Sequence, residues 1–166
     1  YDGIGIPKLV ADLYHGGYSS SPNEFVEFGG KLYFSASDSL VGTELWEFDG
    51  INQPQIVADI DPRFDSFGYP YDGDPGAKIV LNNKLYFFAS DSSHGTELRS
   101  FDGLNVKLEF DLRPGTASAK SFPFDFILYK GKLIFAANDG KSGVELWEYD
   151  GANSPKQFDL NSPGTP

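Results

Sequence analysis

Carboxylates recur along this 166-residue chain at a regular interval, and they are the first residues to weigh for chemistry. Asp49, Asp102 and Asp150 each stand directly before a glycine. Glycoside hydrolysis needs two carboxyl groups facing one bond at a set separation, and no pattern here singles out such a pair. An Asp beside a Gly suits a turn, where the short side chain accepts backbone N–H groups and glycine supplies a positive φ. His15 and His94 are the only histidines, and no nucleophile motif accompanies either. The absence of Cys excludes thiol catalysis, thiolate metal sites and disulfides. A motif present in every copy of a repeat is expected to serve the fold, because active sites are usually singular.

One stretch is the most unlike its counterparts: Asp61-Pro-Arg-Phe-Asp65-Ser-Phe-Gly-Tyr-Pro-Tyr-Asp72-Gly-Asp74-Pro-Gly76. Asp61, Asp65, Asp72 and Asp74 could supply oxygen ligands to calcium, and Phe64, Phe67, Tyr69 and Tyr71 could stack on a sugar ring. No EF-hand spacing or nonapeptide calcium repeat is present, so a plain solvated loop stands beside the calcium and glycan readings.

The elements that would position these residues are strands. Lys31-Leu-Tyr-Phe-Ser-Ala-Ser-Asp38 recurs as Lys84-Leu-Tyr-Phe-Phe-Ala-Ser-Asp91 and Lys132-Leu-Ile-Phe-Ala-Ala-Asn-Asp139. A second block follows each: Gly42-Thr-Glu-Leu-Trp-Glu-Phe-Asp-Gly50, Gly95-Thr-Glu-Leu-Arg-Ser-Phe-Asp-Gly103 and Gly143-Val-Glu-Leu-Trp-Glu-Tyr-Asp-Gly151. A third block after each Asp-Gly runs Leu9–Leu13, Ile56–Ile60, Leu108–Leu112 and Gln157–Leu160. A fourth precedes each Lys-Leu at Phe25–Phe28, Ile79–Leu81 and Phe126–Tyr129. Period-two alternation puts Leu32, Phe34 and Ala36 on one face and Tyr33 and Ser35 on the other. The pairs Gly29-Gly30, Asn82-Asn83 and Lys130-Gly131 suit two-residue hairpin turns. The expected fold is all-β, with β-propeller-type repeats: three four-stranded antiparallel blades plus one extra strand, part of a larger propeller. The whole chain forms one repeat array, with approximate units 4–50, 51–103 and 104–151 and a further unit opening at 152–166. Trp46 and Trp147 are expected in the core.

The block Glu44-Leu45-Trp46-Glu47-Phe48-Asp49-Gly50, repeated at Glu145 to Gly151, resembles the ELWxxDGT repeat family, as do Val57-Ala58-Asp59-Ile60 and Lys31-Leu32-Tyr33-Phe34. The resemblance implies propeller-like repeats of large secreted or surface-attached bacterial proteins, and it brings no catalytic residues. Two departures stand out. The Thr after Asp-Gly is replaced by Ile51, Leu104 and Ala152, and Arg99 stands where the other copies have Trp. The segments opening at Asp38, Asp91 and Asp139 also resemble the Asp-box turn of bacterial sialidase propellers, a device of fold rather than catalysis.

The function implied is a non-enzymatic extracellular module, structural or adhesive, with a carbohydrate-binding propeller as the alternative and a glycoside hydrolase more distant. The net charge of −11 disfavours nucleic acid and anionic membrane surfaces as partners, and no apolar run reaches the length of a membrane span. No cofactor beyond calcium suggests itself. Three units would leave two open flanks, since propellers close with about four to eight blades. The expected partners are further repeats of a longer parent chain or other copies of this one, with surface glycans or proteins beyond them.

Overall fold

The computed structural model describes residues 5–119 and 126–158. All regular structure among them is β. The strands are β1 Asn23–Phe28, β2 Lys31–Asp38, β3 Gly42–Phe48, β4 Gln55–Ala58, β5 Lys78–Leu81, β6 Lys84–Asp91, β7 Gly95–Phe101, β8 Val106–Phe110, β9 Phe126–Tyr129, β10 Lys132–Asn138, β11 Val144–Tyr149 and β12 Lys156–Phe158. They form three antiparallel four-stranded sheets, each in simple sequential order: β1 to β4, β5 to β8 and β9 to β12.

The turn chemistry explains the first hairpin of each sheet. Gly29 and Gly30 have φ of 57° and 79°, Asn82 and Asn83 of 50° and 59°, and Lys130 and Gly131 of 50° and 74°. Two consecutive positive φ values match the twist of the flanking strands, and Gly and Asn tolerate them best. The turn fixes the register, pairing Phe28 with Lys31, Leu81 with Lys84 and Tyr129 with Lys132. The next hairpin aligns Phe34 with Trp46, Phe87 with Arg99 and Phe135 with Trp147. The fourth strand joins with a register shift at Leu45/Trp46 in sheet one and at Leu98/Arg99 in sheet two, so even the irregularity repeats.

Each sheet is apolar on both faces, as the alternation requires, and the sheets stack in chain order. Phe28, Tyr33 and Leu45 of sheet one meet Leu85, Phe87, Ala89 and Phe101 of sheet two. The opposite face of sheet two, with Tyr86, Phe88 and Leu98, meets Leu133, Phe135, Ala137, Trp147 and Tyr149 of sheet three. Both interfaces therefore join the Tyr/Leu face of one sheet to the Leu-Xaa-Phe-Xaa-Ala face of the next. Aromatic edges contribute at both, Phe28 against Phe101 with centroids 6.3 Å apart and Tyr86 against Tyr149 at 5.8 Å. The first strands lie side by side, β1 by β5 and β5 by β9, so the sheets converge along that edge. Trp46 and Trp147 are buried, and each indole N–H donates to a carbonyl of the neighbouring strand, at Ala36 and Ala137.

The sheets are cut differently from the sequence blocks. The third block after each Asp-Gly closes the sheet before it, as β4, β8 and β12, rather than opening the next. The run Leu9–Leu13, of the same pattern, lies in no strand.

Candidate functional site

The repeated carboxylates have two separate jobs, both directed at backbone. Asp38, Asp91 and Asp139 close the turns between the second and third strands. Each accepts two N–H groups, from Leu40 and Val41 (2.8 and 2.9 Å), Ser93 and His94 (2.7 and 2.8 Å), and Lys141 and Ser142 (both 2.9 Å). Asp49, Asp102 and Asp150 do the same after the third strand, Asp49 taking Ile51 and Asn52 at 2.9 and 2.8 Å. The Asn52 side chain and two backbone N–H groups lower Asp49 to about 2, and the Asn153 amides do the same for Asp150. A carboxylate held so far below the usual range donates no proton near neutrality.

Glu44 and Glu97 do the second job, which the sequence reading missed. Both are wholly buried. Glu44 accepts the N–H of Gly73 at 2.8 Å and of Ile60 at 3.1 Å, so it grips both ends of the linker from sheet one to sheet two. Glu97 grips the next linker in the same way, through Leu112 (2.8 Å), Ala119 (3.2 Å) and Arg113 (3.3 Å). Burial pushes Glu44 up to about 8 and Glu97 up to about 7, against the pull of these N–H groups. Among the described residues, no Lys, Arg or His side chain pairs with either. The linker packs so closely that a Cβ on Gly73 would lie 2.5 Å from Glu44 Oε2, and one on Gly42 2.6 Å from Asp72 Oδ1. Lys78 anchors the far end of the first linker, donating to Ser35 Oγ (2.6 Å) and the carbonyls of Gly76 (3.0 Å) and Pro75 (3.2 Å). Burial brings its amine down to about 8.

The middle sheet rebuilds what its substitutions remove. Arg99 Nε reaches the Ala89 carbonyl at 3.4 Å, the place the indole N–H takes in the other sheets, and its terminal amine pairs with Asp91. Burial alone would raise Asp91, but His94, Ser93 and Arg99 together hold it far below the carboxylate range. Lys31–Glu47 (2.6 Å) and Lys132–Glu148 (2.9 Å) tie the second and third strands of the outer sheets. Ser100 stands at the equivalent glutamate position, and Glu109 of β8 takes over, pairing with Lys84 at 3.0 Å and accepting Ser100 Oγ. Glu109 also accepts the Tyr149 hydroxyl at 2.9 Å across the interface to sheet three.

Within the loop 61–76 a small hairpin is closed by a bridge between Phe64 and Pro70. Its four candidate calcium ligands have different partners. Asp61 is buried and holds Arg63 through two bonds of 2.6 Å. Asp65 accepts Phe67 and Tyr69 N–H at 2.8 and 2.9 Å, and Asp72 accepts Thr43 N–H at 2.6 Å. Asp74 donates its own N–H to the Thr43 carbonyl at 3.0 Å. Among the described residues, no three His, Cys, Asp or Glu side chains gather closely enough to hold a metal. Of the aromatics, Tyr71 lies under the Arg63 guanidinium at 4.4 Å, while Phe64, Phe67 and Tyr69 are exposed, Phe67 at 84%.

Among the described residues, two sheet faces are uncovered or lightly covered. Leu146 of sheet three is 39% exposed, whereas its counterparts Leu45 and Leu98 are at 0%. Ile127, Tyr129, Ile134 and Phe158 line a shallow groove beside it. At the other end, Leu32, Phe34 and Phe48 of sheet one form a groove with Leu9, Leu13 and Phe25. Comparison with family models, curated proteins and solved structures returns no match.

Proposed function

We propose that this chain is a non-enzymatic repeat module of an extracellular surface protein, structural or adhesive in role, whose sheets are consecutive blades of a β-propeller. The observation that carries the reading is the use of the recurring carboxylates. Each copy turns its turn aspartates onto its own backbone, and Glu44 and Glu97 onto the linker leaving their sheets. Repetition of one backbone-binding device supports a scaffold, because a catalytic constellation needs unlike groups converging at one place. The face-to-face stacking and the converging first strands support the propeller geometry. The resemblance to ELWxxDGT repeats supports the bacterial surface setting.

A second reading, a carbohydrate-binding propeller, is favoured by the exposed Phe64, Phe67 and Tyr69 on one ordered loop. Flat aromatic faces offered to solvent on a fixed scaffold suit sugar rings. A panel of chromogenic glycosides and a glycan array on the folded chain separate the readings. The scaffold reading expects neither turnover nor a glycan signal. Glycan binding lost in a Phe67→Ala/Tyr69→Ala variant would transfer the assignment to the second reading, and turnover would overturn both.

A further inference from the structure

The two linkers between sheets follow one path, and the leading segment follows it as well. The Gly73 carbonyl accepts Ser90 N–H at 2.7 Å, the Ala119 carbonyl accepts Asn138 N–H at 2.8 Å, and the Ser20 carbonyl accepts Ser37 N–H at 2.8 Å. Ser37, Ser90 and Asn138 are equivalent positions of the second strand, so Ser20, Gly73 and Ala119 are equivalent too. Leu13 precedes Ser20 by the same seven residues that separate Leu112 from Ala119, and Ile60 is their counterpart ahead of the longer loop. Ile60 packs in the core between sheets one and two, and Leu112 in that between sheets two and three. Leu13 packs on Phe34, Ala36 and Trp46, the same face of sheet one.

The equivalence extends four residues further back, to Leu9, Ile56 and Leu108. Ile56 and Leu108 lie in β4 and β8, paired with Trp46 and Arg99 of the third strands. Leu9–Leu13 thus occupies the place of a fourth strand with no third strand beside it among the described residues. Leu9 is 83% exposed, while Leu108 is half-buried.

We propose that Leu9–Leu13 is the outer strand of a further sheet, whose three inner strands come from another repeat of this kind, outside these 166 residues. That repeat stacks its Tyr/Leu face on Leu32, Phe34 and Trp46, as sheets one and two stack theirs on the sheets that follow. The occupant is set by what each sheet here already holds. All three have their own fourth strand, so a second copy of this chain offers no sheet with that position open. The partner's third strand places a Leu opposite Ala11, as Leu45 stands opposite Ala58. Its buried glutamate accepts the N–H groups of Leu13 and Ser20, as Glu97 accepts those of Leu112 and Ala119. The inference rests on the stacking of the module and not on its adhesive role.

The test extends the full chain with a duplicate of residues 23–47 ahead of Tyr1, so that a third strand runs into Tyr1-Asp2-Gly3 as β3 runs into Phe48-Asp49-Gly50. Hydrogen exchange across Leu9–Leu13 is expected to slow by more than about tenfold, with a rise in melting temperature. A Val10→Pro/Ala11→Pro pair should abolish both gains in the extended chain and shift the original chain by less than about 2 °C. Unchanged exchange in the extended chain overturns the proposal. So does a loss of several degrees from the proline pair in the original chain, a result readable even if the extension does not fold. Concentration-dependent dimers of the original chain with protected Leu9–Leu13 amides would assign the face to a second copy instead and also overturn it.

Discussion

Lowering the pH from 7.5 to 5.5 is expected to stabilise this protein, against the usual behaviour of carboxylates. Burial penalises the charged forms of Glu44 and Glu97 and pushes them up to about 8 and about 7, whereas the unfolded chain releases these protons near 4.5. A raised folded-state value means the folded chain binds more protons between the two values, so stability is complete below about 4.5 and declines as pH climbs toward 8. Each group inside its window changes stability by about 1.4 kcal/mol per pH unit, which sets a ceiling of about 3 kcal/mol for Glu44 and about 2 for Glu97. Lys78 acts outside this range: its amine is depressed to about 8, so its share of stability fades as pH falls through 8 and is already gone at 7.5. The turn aspartates lose their protection only in strong acid, Asp49 near 2. Urea unfolding at pH 7.5, 6.5 and 5.5 gives the slope, and Glu44→Gln and Glu97→Gln should each flatten it. Their absolute stability should also fall, by about 1–3 kcal/mol, because one of the gripped N–H groups loses its acceptor. A flat or falling profile in the parent chain would show that the backbone N–H groups outweigh burial and keep both glutamates ionised.

Trp147→Ala should cost about 3–5 kcal/mol in denaturant melts, because the side chain fills the core between sheets two and three and its indole N–H is satisfied there. Arg99→Met should cost about 2–3 kcal/mol, because Asp91 loses its guanidinium partner and the Ala89 carbonyl its side-chain donor, while Arg99→Trp, which restores that donor, should cost less in the same melts. Gly73→Ala should lower stability by about 2–3 kcal/mol, since its Cβ would stand 2.5 Å from Glu44 Oε2 and 2.8 Å from Ile60 Cβ. Phe67→Ala, at an exposed loop tip, should stay within about 0.5 kcal/mol of the parent.

The strands were legible because Leu-Xaa-Phe-Xaa-Ala beside a Gly or Asn turn leaves period two as the only pattern that buries the apolar set. The burial of both tryptophans followed from the same alternation. Sheet membership was harder to read: Ile56–Ile60 follows Asp-Gly in sequence, and only the ladder shows that its first residues close the earlier sheet. Glu44 carried a usable signal, since it recurs as Glu97 and Glu145 on the face of Trp46, where a charge costs free energy unless something grips it. What it grips is twenty-nine residues away at Gly73 and sixteen at Ile60, beyond any local spacing rule. The loop 61–76 reads in sequence as a cluster of four acids, but folding assigns three of their side chains to different partners, Arg63, the loop's own backbone and Thr43.

The identical order of faces at both interfaces gives the stack a polarity. Every contact is heterologous, Tyr/Leu face to Leu/Phe/Ala face, so neither interface has a two-fold axis. Addition at either end repeats the same step, and the rotation per sheet decides whether the series shuts into a ring or keeps growing. The stack therefore has a distinct head, the Leu/Phe/Ala face of sheet one, and a distinct tail, the Leu146 face of sheet three.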